Sequence, residues 1–285
     1  MAATLTSRLQ ETLGVTPRRV RPLSGGCIGE VYAVDLEDGD RVVAKVDQSS
    51  EPRLDVEGYM LQYLASHSAL PVPAVRHTSP GLLVMDFVEG DSHFGAAEQH
   101  HAAELLAALH DVRGDAYGLE RPTLIGALQQ RNPWTDSWTA FFRDERLLYM
   151  ADEAVKERRM PGDVHKRLRK FADAIDRFIE EPAYPSLLHG DVWTTNVLAK
   201  GGRITAFLDP AIYYGHPEIE LAFTTLFGTF GTPFFERYDS IRCIRPGFME
   251  ERRDIYNIYP LLVHVRLFGG GYLSGIDQAL RRFGF

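Results

Sequence analysis

In the stretch His189-Gly190-Asp191-Val192-Trp193-Thr194-Thr195-Asn196 a carboxylate and a carboxamide stand five positions apart, and a second carboxylate, Asp209, opens Asp209-Pro210-Ala211 thirteen residues further on. A carboxylate beside a hydroxyl can accept its proton as that oxygen attacks, while an uncharged oxygen and a charged one can together hold Mg2+. Carboxylates alone would repel a polyphosphate, and a bound divalent cation reverses that local sign. Asp191 as proton acceptor, with Asn196 and Asp209 as metal ligands, is the set that phosphoryl transfer from a nucleotide requires. The order and spacing of the three residue types set them apart from unrelated acids on loops.

Two further features fit the same chemistry. Lys45 lies in Val42-Val43-Ala44-Lys45-Val46, the context of the strand lysine that contacts ATP phosphates in kinases. Val42, Ala44 and Val46 alternate, so Lys45 must face the other side of the strand. Glu57, twelve residues on, is its expected helix partner; Asp55 competes, but Glu57 shares a helix face with Leu61 and Leu64. Ser24-Gly25-Gly26-Cys27-Ile28-Gly29 stands where a phosphate-covering loop is expected, and backbone N–H groups at Gly25 and Gly26 could cradle phosphates. Cys27 is either a small buried hydrophobe or an exposed thiol open to reversible oxidation.

These residues need elements to carry them. Before residue 90 the pattern is β-rich: CIGEVYAVDL and RVVAKVD flank the turn Glu37-Asp38-Gly39-Asp40 as a hairpin. A helix follows at about 52–67, ended by Pro71 and Pro73, and then a buried strand over 81–88. Beyond residue 90 the pattern is mainly helical, at 96–110, at 163–180 (the clearest helical periodicity in the chain) and from about 218 onward. Between these, residues 196–199 and 203–208 read as a hairpin across Lys200-Gly201-Gly202. The expected fold is α+β and two-lobed, with a small β-rich nucleotide-binding lobe over 1–88 and a larger helical catalytic lobe over 89–285.

Composition limits the alternatives. Of 285 residues, 45% are hydrophobic and 25% charged, enough for a core and too apolar for overall disorder. The net charge of −8 argues against general affinity for nucleic acid or anionic membranes. No segment approaches the roughly 18 consecutive apolar residues of a membrane span, and the first residues lack a signal-peptide core, so a cytoplasmic location is expected. Cys27 and Cys243 are too few for a disulfide scaffold, and the histidines show no HExxH or comparable zinc spacing.

HGDVWTTN, DPAIYYGHPEIELAF, the segment 118–138 and the closing IYPLLVHVRLFGGGY resemble the fructosamine (ketosamine) kinases, and the likeness runs from GGCIGEVYAV to the C-terminal glycines. The resemblance implies a protein-kinase-like fold and phosphorylation by MgATP of the sugar 3-hydroxyl of ketosamines such as fructosyl-lysine. By that resemblance Asp191 is the base, Asn196 and Asp209 hold metal, and Lys45 and Glu57 organise phosphate. Met85, Asp86, Phe87 and Val88 then form the adenine-binding connector. Two departures stand out: Thr194-Thr195 replaces smaller residues, and the interval from Lys45 to Glu57 is short. The expected partner is a small ketosamine or glycated lysine, and the expected assembly a monomer or weak dimer.

Trp193 distinguishes this pattern from aminoglycoside kinases, which share the fold. Its indole either walls a sugar ring or packs under the loop. Trp134 and Asp136 are further substrate candidates, although the one-turn spacing of Trp134 and Trp138 favours a core role for both. His189, His216 and Glu220 read as loop anchors. The alternatives are another small-alcohol or aminoglycoside kinase, or a catalytically silent nucleotide-binding pseudokinase; retention of Lys45, Asp191, Asn196 and Asp209 argues against the last.

Overall fold

A computed structural model of the chain describes residues 2–23 and 29–285, the side chains of residues 2–4 excepted. The N-terminal part is a five-stranded antiparallel sheet in the order β1-β2-β3-β5-β4, built from β1 (Pro17–Leu23), β2 (Glu30–Leu36), β3 (Arg41–Val46), β4 (Val75–Ser79) and β5 (Leu82–Asp86). The β2–β3 turn closes at Gly39, whose φ of 96° is left-handed, and Asp38 accepts from the Asp40 amide at 3.0 Å.

One face of this sheet is covered by α1 (Ala2–Leu13), a helix the sequence reading did not anticipate. Leu5 and Leu9, one turn apart, pack on Val34, Val42, Ala44 and Val84. The other face receives α2 (Leu54–His67), whose Leu61 contacts Leu83 and Met85. The alternation of β3 therefore sorts its side chains between two cores, and Lys45 falls on the α2 side.

The remainder is mostly helical: α3 (Ala96–His110), α4 (Trp138–Phe141), a π-helical turn Phe142–Leu148, α5 (Tyr149–Lys156), α6 (Gly162–Ala172), α7 (Pro217–Leu226), α8 (Thr232–Ile241), α9 (Arg253–Phe268) and α10 (Leu273–Arg282). Three short antiparallel pairs are set among them: β6 (Thr123–Ile125) with β7 (Leu128–Gln130), β8 (Ser186–Leu188) with β11 (Tyr213–Gly215), and β9 (Val197–Lys200) with β10 (Arg203–Phe207). The expected hairpin after Asn196 is β9–β10.

The helix expected over 163–180 is broken. It stops at Ala172, and a separate 3-10 turn occupies Ile175–Arg177. The Ala174 amide bonds the Phe171 carbonyl three residues back, which tightens the chain out of the α-helix. The apolar period survives because Phe178 still stacks on Phe171, with ring centres 5.6 Å apart. Periodicity reports which residues are buried, and a turn can bury them as a helix does.

No helix among the described residues is long and apolar enough to cross a membrane.

Candidate active site

Lys45 sits between two carboxylates. Its Nζ lies 2.7 Å from Glu57 Oε1 and also contacts the Asp209 carboxylate, and both Lys45 and Glu57 are buried. Burial works to lower the Lys45 pKa, but Asp209 and Glu57 outweigh it and hold it raised, so the ammonium stays charged. The helix face decides between the acids of α2: Glu57 is buried with Leu54, Leu61 and Leu64, whereas Asp55 is only partly covered. A buried ammonium is tolerable only because it is paired, and removing both acids would leave an uncompensated charge.

The loop bearing Asp191 leaves β8 and is fixed by its backbone. Gly190 has φ +84°, and a Cβ there would approach the Ala211 carbonyl oxygen to 2.1 Å, so no other residue fits. The Gly190 amide donates to Glu220 Oε1 at 2.6 Å, and the Ala211 amide donates to the His189 carbonyl at 2.7 Å. At the far end of the loop, Asn196 donates its side-chain amide to Asp191 Oδ2 at 2.9 Å and to the Asp191 carbonyl at 3.1 Å. Burial, and then the charge of Asp209, raises the Asp191 carboxyl above the usual carboxylate range. Asp209 follows β10 with φ 51°, a left-handed conformation unusual for a residue with a side chain, and such strain is concentrated at functional sites.

These groups share one pocket. Lys45, Glu57, Asp191, Trp193, Asn196 and Asp209 line it, with Met60 and Leu124 as apolar walls. A larger cavity of about 530 Å³ adjoins it and shares Lys45, Thr195, Asn196 and Asp209. Val31, Val43 and Met85 from the sheet, with Leu198 of β9 and Leu208 just past β10, make that cavity apolar on two sides, as a flat heterocycle requires. Asp86, Phe87 and Val88 border it. The Asp86 carboxylate is engaged by Arg76 at 2.5 Å, and the Arg41 guanidinium lies 5.1 Å from the Phe87 ring centre. The connector is drawn against the second lobe at Gly90, where a Cβ would come within 3.0 Å of Ala199 backbone atoms.

Asp209 and Asn196 fit a hard divalent cation. The Asn196 amide nitrogen is spent on Asp191, which leaves its carbonyl oxygen for a cation in the pocket that Asp209 also lines. Among the described residues no cluster of three or more His, Cys, Asp or Glu forms a complete cage. Two protein oxygens would thus share the ion with phosphate oxygens and water, the habit of Mg2+ in nucleotide sites.

Of the sequence-derived candidates, Lys45, Glu57, Met85, Asp86, Phe87, Val88, Asp191, Trp193, Asn196 and Asp209 come together around these two cavities. Gly25, Gly26 and Cys27 lie outside the described residues. Trp193 is half-buried and packs against Phe227 at 5.8 Å between ring centres. Trp134 and Asp136 line neither cavity. The shared core role read from the Trp134 and Trp138 spacing is corrected: Trp138 is fully buried and donates to the Tyr256 hydroxyl at 3.1 Å, while Trp134 is 51% exposed. Trp134 precedes the helix, so the one-turn spacing does not place the two on one face. His216 caps α7 by accepting the Glu218 amide at 3.1 Å, in keeping with its reading as an anchor.

A buried polar chain escaped sequence reading. Arg146, on the π-helical turn, donates to Asn132 Oδ1 at 2.7 Å, and Asn132 donates to Thr123 at 2.9 Å. Gln130 donates to Thr123 and to the Ala211 carbonyl, both at 2.9 Å, and accepts from Tyr259 at 2.6 Å. This chain ties β6–β7 to the segment that follows Asp209. Its only sequence signal is polar residues at positions the apolar pattern assigns to the core.

The family model described as fructosamine kinase matches residues 1–283. A probable ketoamine kinase of Synechocystis is 34% identical over 294 residues, covering 98% of this chain and 95% of its own length. A chloroplastic protein-ribulosamine 3-kinase of Oryza sativa subsp. indica is 29% identical, covering 92% and 79%. Among solved structures, a candidate fructosamine-3-kinase of Thermobifida fusca is 27% identical with a TM-score of 0.86, covering 98% of this chain and 97% of its own. An aminoglycoside phosphotransferase solved with ADP and hygromycin B, 19% identical with a TM-score of 0.69 over 99% of both chains, shares the fold. The chain therefore belongs to the fructosamine kinase family, an ATP-dependent phosphotransferase on the two-lobed protein-kinase-like fold.

Proposed function

We propose that this enzyme transfers the γ-phosphoryl group of ATP to a sugar hydroxyl of a ketosamine, the 3-hydroxyl, with Asp191 as the base. The observation that carries this reading is the Asp191–Asn196 contact at 2.9 Å inside the pocket that also holds Lys45, Asp209 and Trp193. Asn196 fixes one carboxylate oxygen and leaves the other for an incoming hydroxyl. The transition state of such transfers is loose, so holding the hydroxyl in line matters more than basicity.

Lys45 contacts the phosphates, and Glu57 keeps it in place when phosphate oxygens compete with Asp209 for its ammonium. Asp209 and the Asn196 oxygen would hold Mg2+, which would offset charge on the transferring phosphoryl group. Met85 and the connector residues Asp86, Phe87 and Val88 receive the adenine, with the lobes dividing at residue 88; the sheet's last strand ends at Asp86 and the next helix starts at Ala96. Trp193 provides an apolar wall for the sugar. The curated relatives named ketoamine kinase and ribulosamine 3-kinase support this choice of acceptor.

An ATP-consumption assay over fructosyl-lysine, ribulosyl-lysine, kanamycin and choline tests the reading, with the product's phosphorylated carbon located by NMR. Turnover of the ketosamines with phosphate on carbon 3 is expected. Preference for kanamycin or choline would overturn the acceptor assignment.

A further inference from the structure

We propose that His110 is a positioning residue for the catalytic loop, acting through Glu220 under the orientation imposed by Tyr238. This rests on the reading of Asp191 as the base. His110 is the last residue of α3, fully buried, and ends a run otherwise built from alanine and leucine. Its Nε2 lies 2.8 Å from Glu220 Oε2 and its Nδ1 2.7 Å from the Tyr238 hydroxyl on α8. Glu220 is 2% exposed and accepts the Gly190 amide at 2.6 Å, with the His189 amide at 3.4 Å.

The direction of the hydrogen bonds follows from what each group can do. A carboxylate that already accepts backbone amides can only accept again, so the proton between His110 and Glu220 sits on Nε2. Nδ1 then accepts from the Tyr238 hydroxyl, and both ring nitrogens are committed. Burial works to raise Glu220, but the His110 hydrogen bond and the Gly190 amide outweigh it and hold the carboxyl low, so it stays ionised.

The link matters because of what Glu220 holds. Gly190 immediately precedes Asp191 in a left-handed conformation that no other residue fits. Rotation of the peptide on either side of Gly190 would re-aim the Asp191 side chain. Without the His110 donor, Glu220 is a buried carboxylate short of a partner; it must turn or take up a proton, and either change releases the loop amide. A misplacement near 1 Å at a reacting group costs about 10²-fold in rate. Nucleotide contacts through Lys45 and the connector lie on other elements and are not touched.

His110→Phe, His110→Gln and Tyr238→Phe are compared with the wild type in kcat, KM for ATP, ADP affinity and amide hydrogen exchange over residues 186–196. His110→Phe should lower kcat about 10–100-fold with KM for ATP within about 2-fold, and the loop amides should exchange about 10-fold faster. His110→Gln keeps an N–H donor for Glu220 and should restore most of both. A folded His110→Phe with wild-type kcat and exchange overturns the proposal. So does equal loss in His110→Gln with exchange rising throughout the helical lobe, which would mean packing alone. If His110→Phe does not fold, Tyr238→Phe decides: a kcat loss of about 3–10-fold at unchanged KM for ATP supports the relay, and unchanged kcat and exchange refute it. Exchange and ADP binding need no sugar, so a wild type inactive on ketosamines would refute the acceptor reading while these measurements still decide the role of His110.

Discussion

Asn196 donates the same side-chain nitrogen to the Asp191 carboxylate at 2.9 Å and to the Asp191 backbone carbonyl at 3.1 Å, closing the 191–196 loop on itself. The five-residue spacing seen in the sequence is the span of that closure. It places the acid and the amide oxygen in one pocket, each with a separate task.

Replacing Asp191 by Asn keeps an oxygen to accept from Asn196 and removes the proposed base. Turnover should fall by about 10²–10⁴, with ATP binding and the fold retained. Near-normal turnover in a folded Asp191→Asn protein, measured beside nucleotide affinity by calorimetry, would take Asp191 out of the role.

Asp209→Ala removes the charged oxygen of the proposed Mg2+ site and one of the two acids at Lys45. Because Glu57 still pairs Lys45 at 2.7 Å, the protein should fold. Activation by Mg2+ should be lost across a millimolar titration. An unchanged half-saturating Mg2+ concentration would remove Asp209 from the metal site.

Trp193 lines the pocket of Asp191 but not the larger apolar cavity beside it. Trp193→Ala should therefore impair ketosamine turnover more than basal ATP hydrolysis, since the sugar loses its wall and the nucleotide keeps its contacts. Equal loss of both activities would point to packing of the loop against Phe227 as its sole task.

His216 is pushed down to about 3 by burial, with the charge of Arg252 adding to the effect. An unfolded histidine titrates near 6.5, so between about pH 6.5 and 3 the unfolded chain binds the proton that the folded one refuses. The stability linked to this group is fully present above that window and declines as pH falls through it, by about 1.4 kcal/mol per pH unit. His216→Asn keeps an N-cap acceptor and has nothing to titrate. Its unfolding free energy should fall less steeply than the wild type's between pH 6.5 and 5 in urea titrations, and parallel slopes would be the contrary result.

Within the chain, short-range order was enough for much of the chemistry. Asp191, Asn196 and Asp209 lie in one loop and the hairpin that follows, so their spacing alone implied a common site. The alternation in β3 likewise sent Lys45 away from Val42, Ala44 and Val46, because successive residues of a strand face opposite ways. Periodicity was less informative where burial and hydrogen bonding part company: the pattern over 163–180 is continuous although the helix ends at Ala172. The Leu5, Leu9 and Leu13 spacing of α1 is helical, yet among polar neighbours it does not by itself show which sheet face it covers.

Partners distant in sequence were decided by tertiary structure. Lys45 meets Asp209 across 164 positions, and His110 meets Glu220 across 110. Trp134 and Trp138 differ by one turn in sequence, yet one is exposed and the other sealed in the core. A residue type and its period specify which side of an element it occupies. Which group it meets there depends on how the elements pack, and for buried charges such as Lys45 and Glu220 that choice is enforced by the cost of leaving them unpaired.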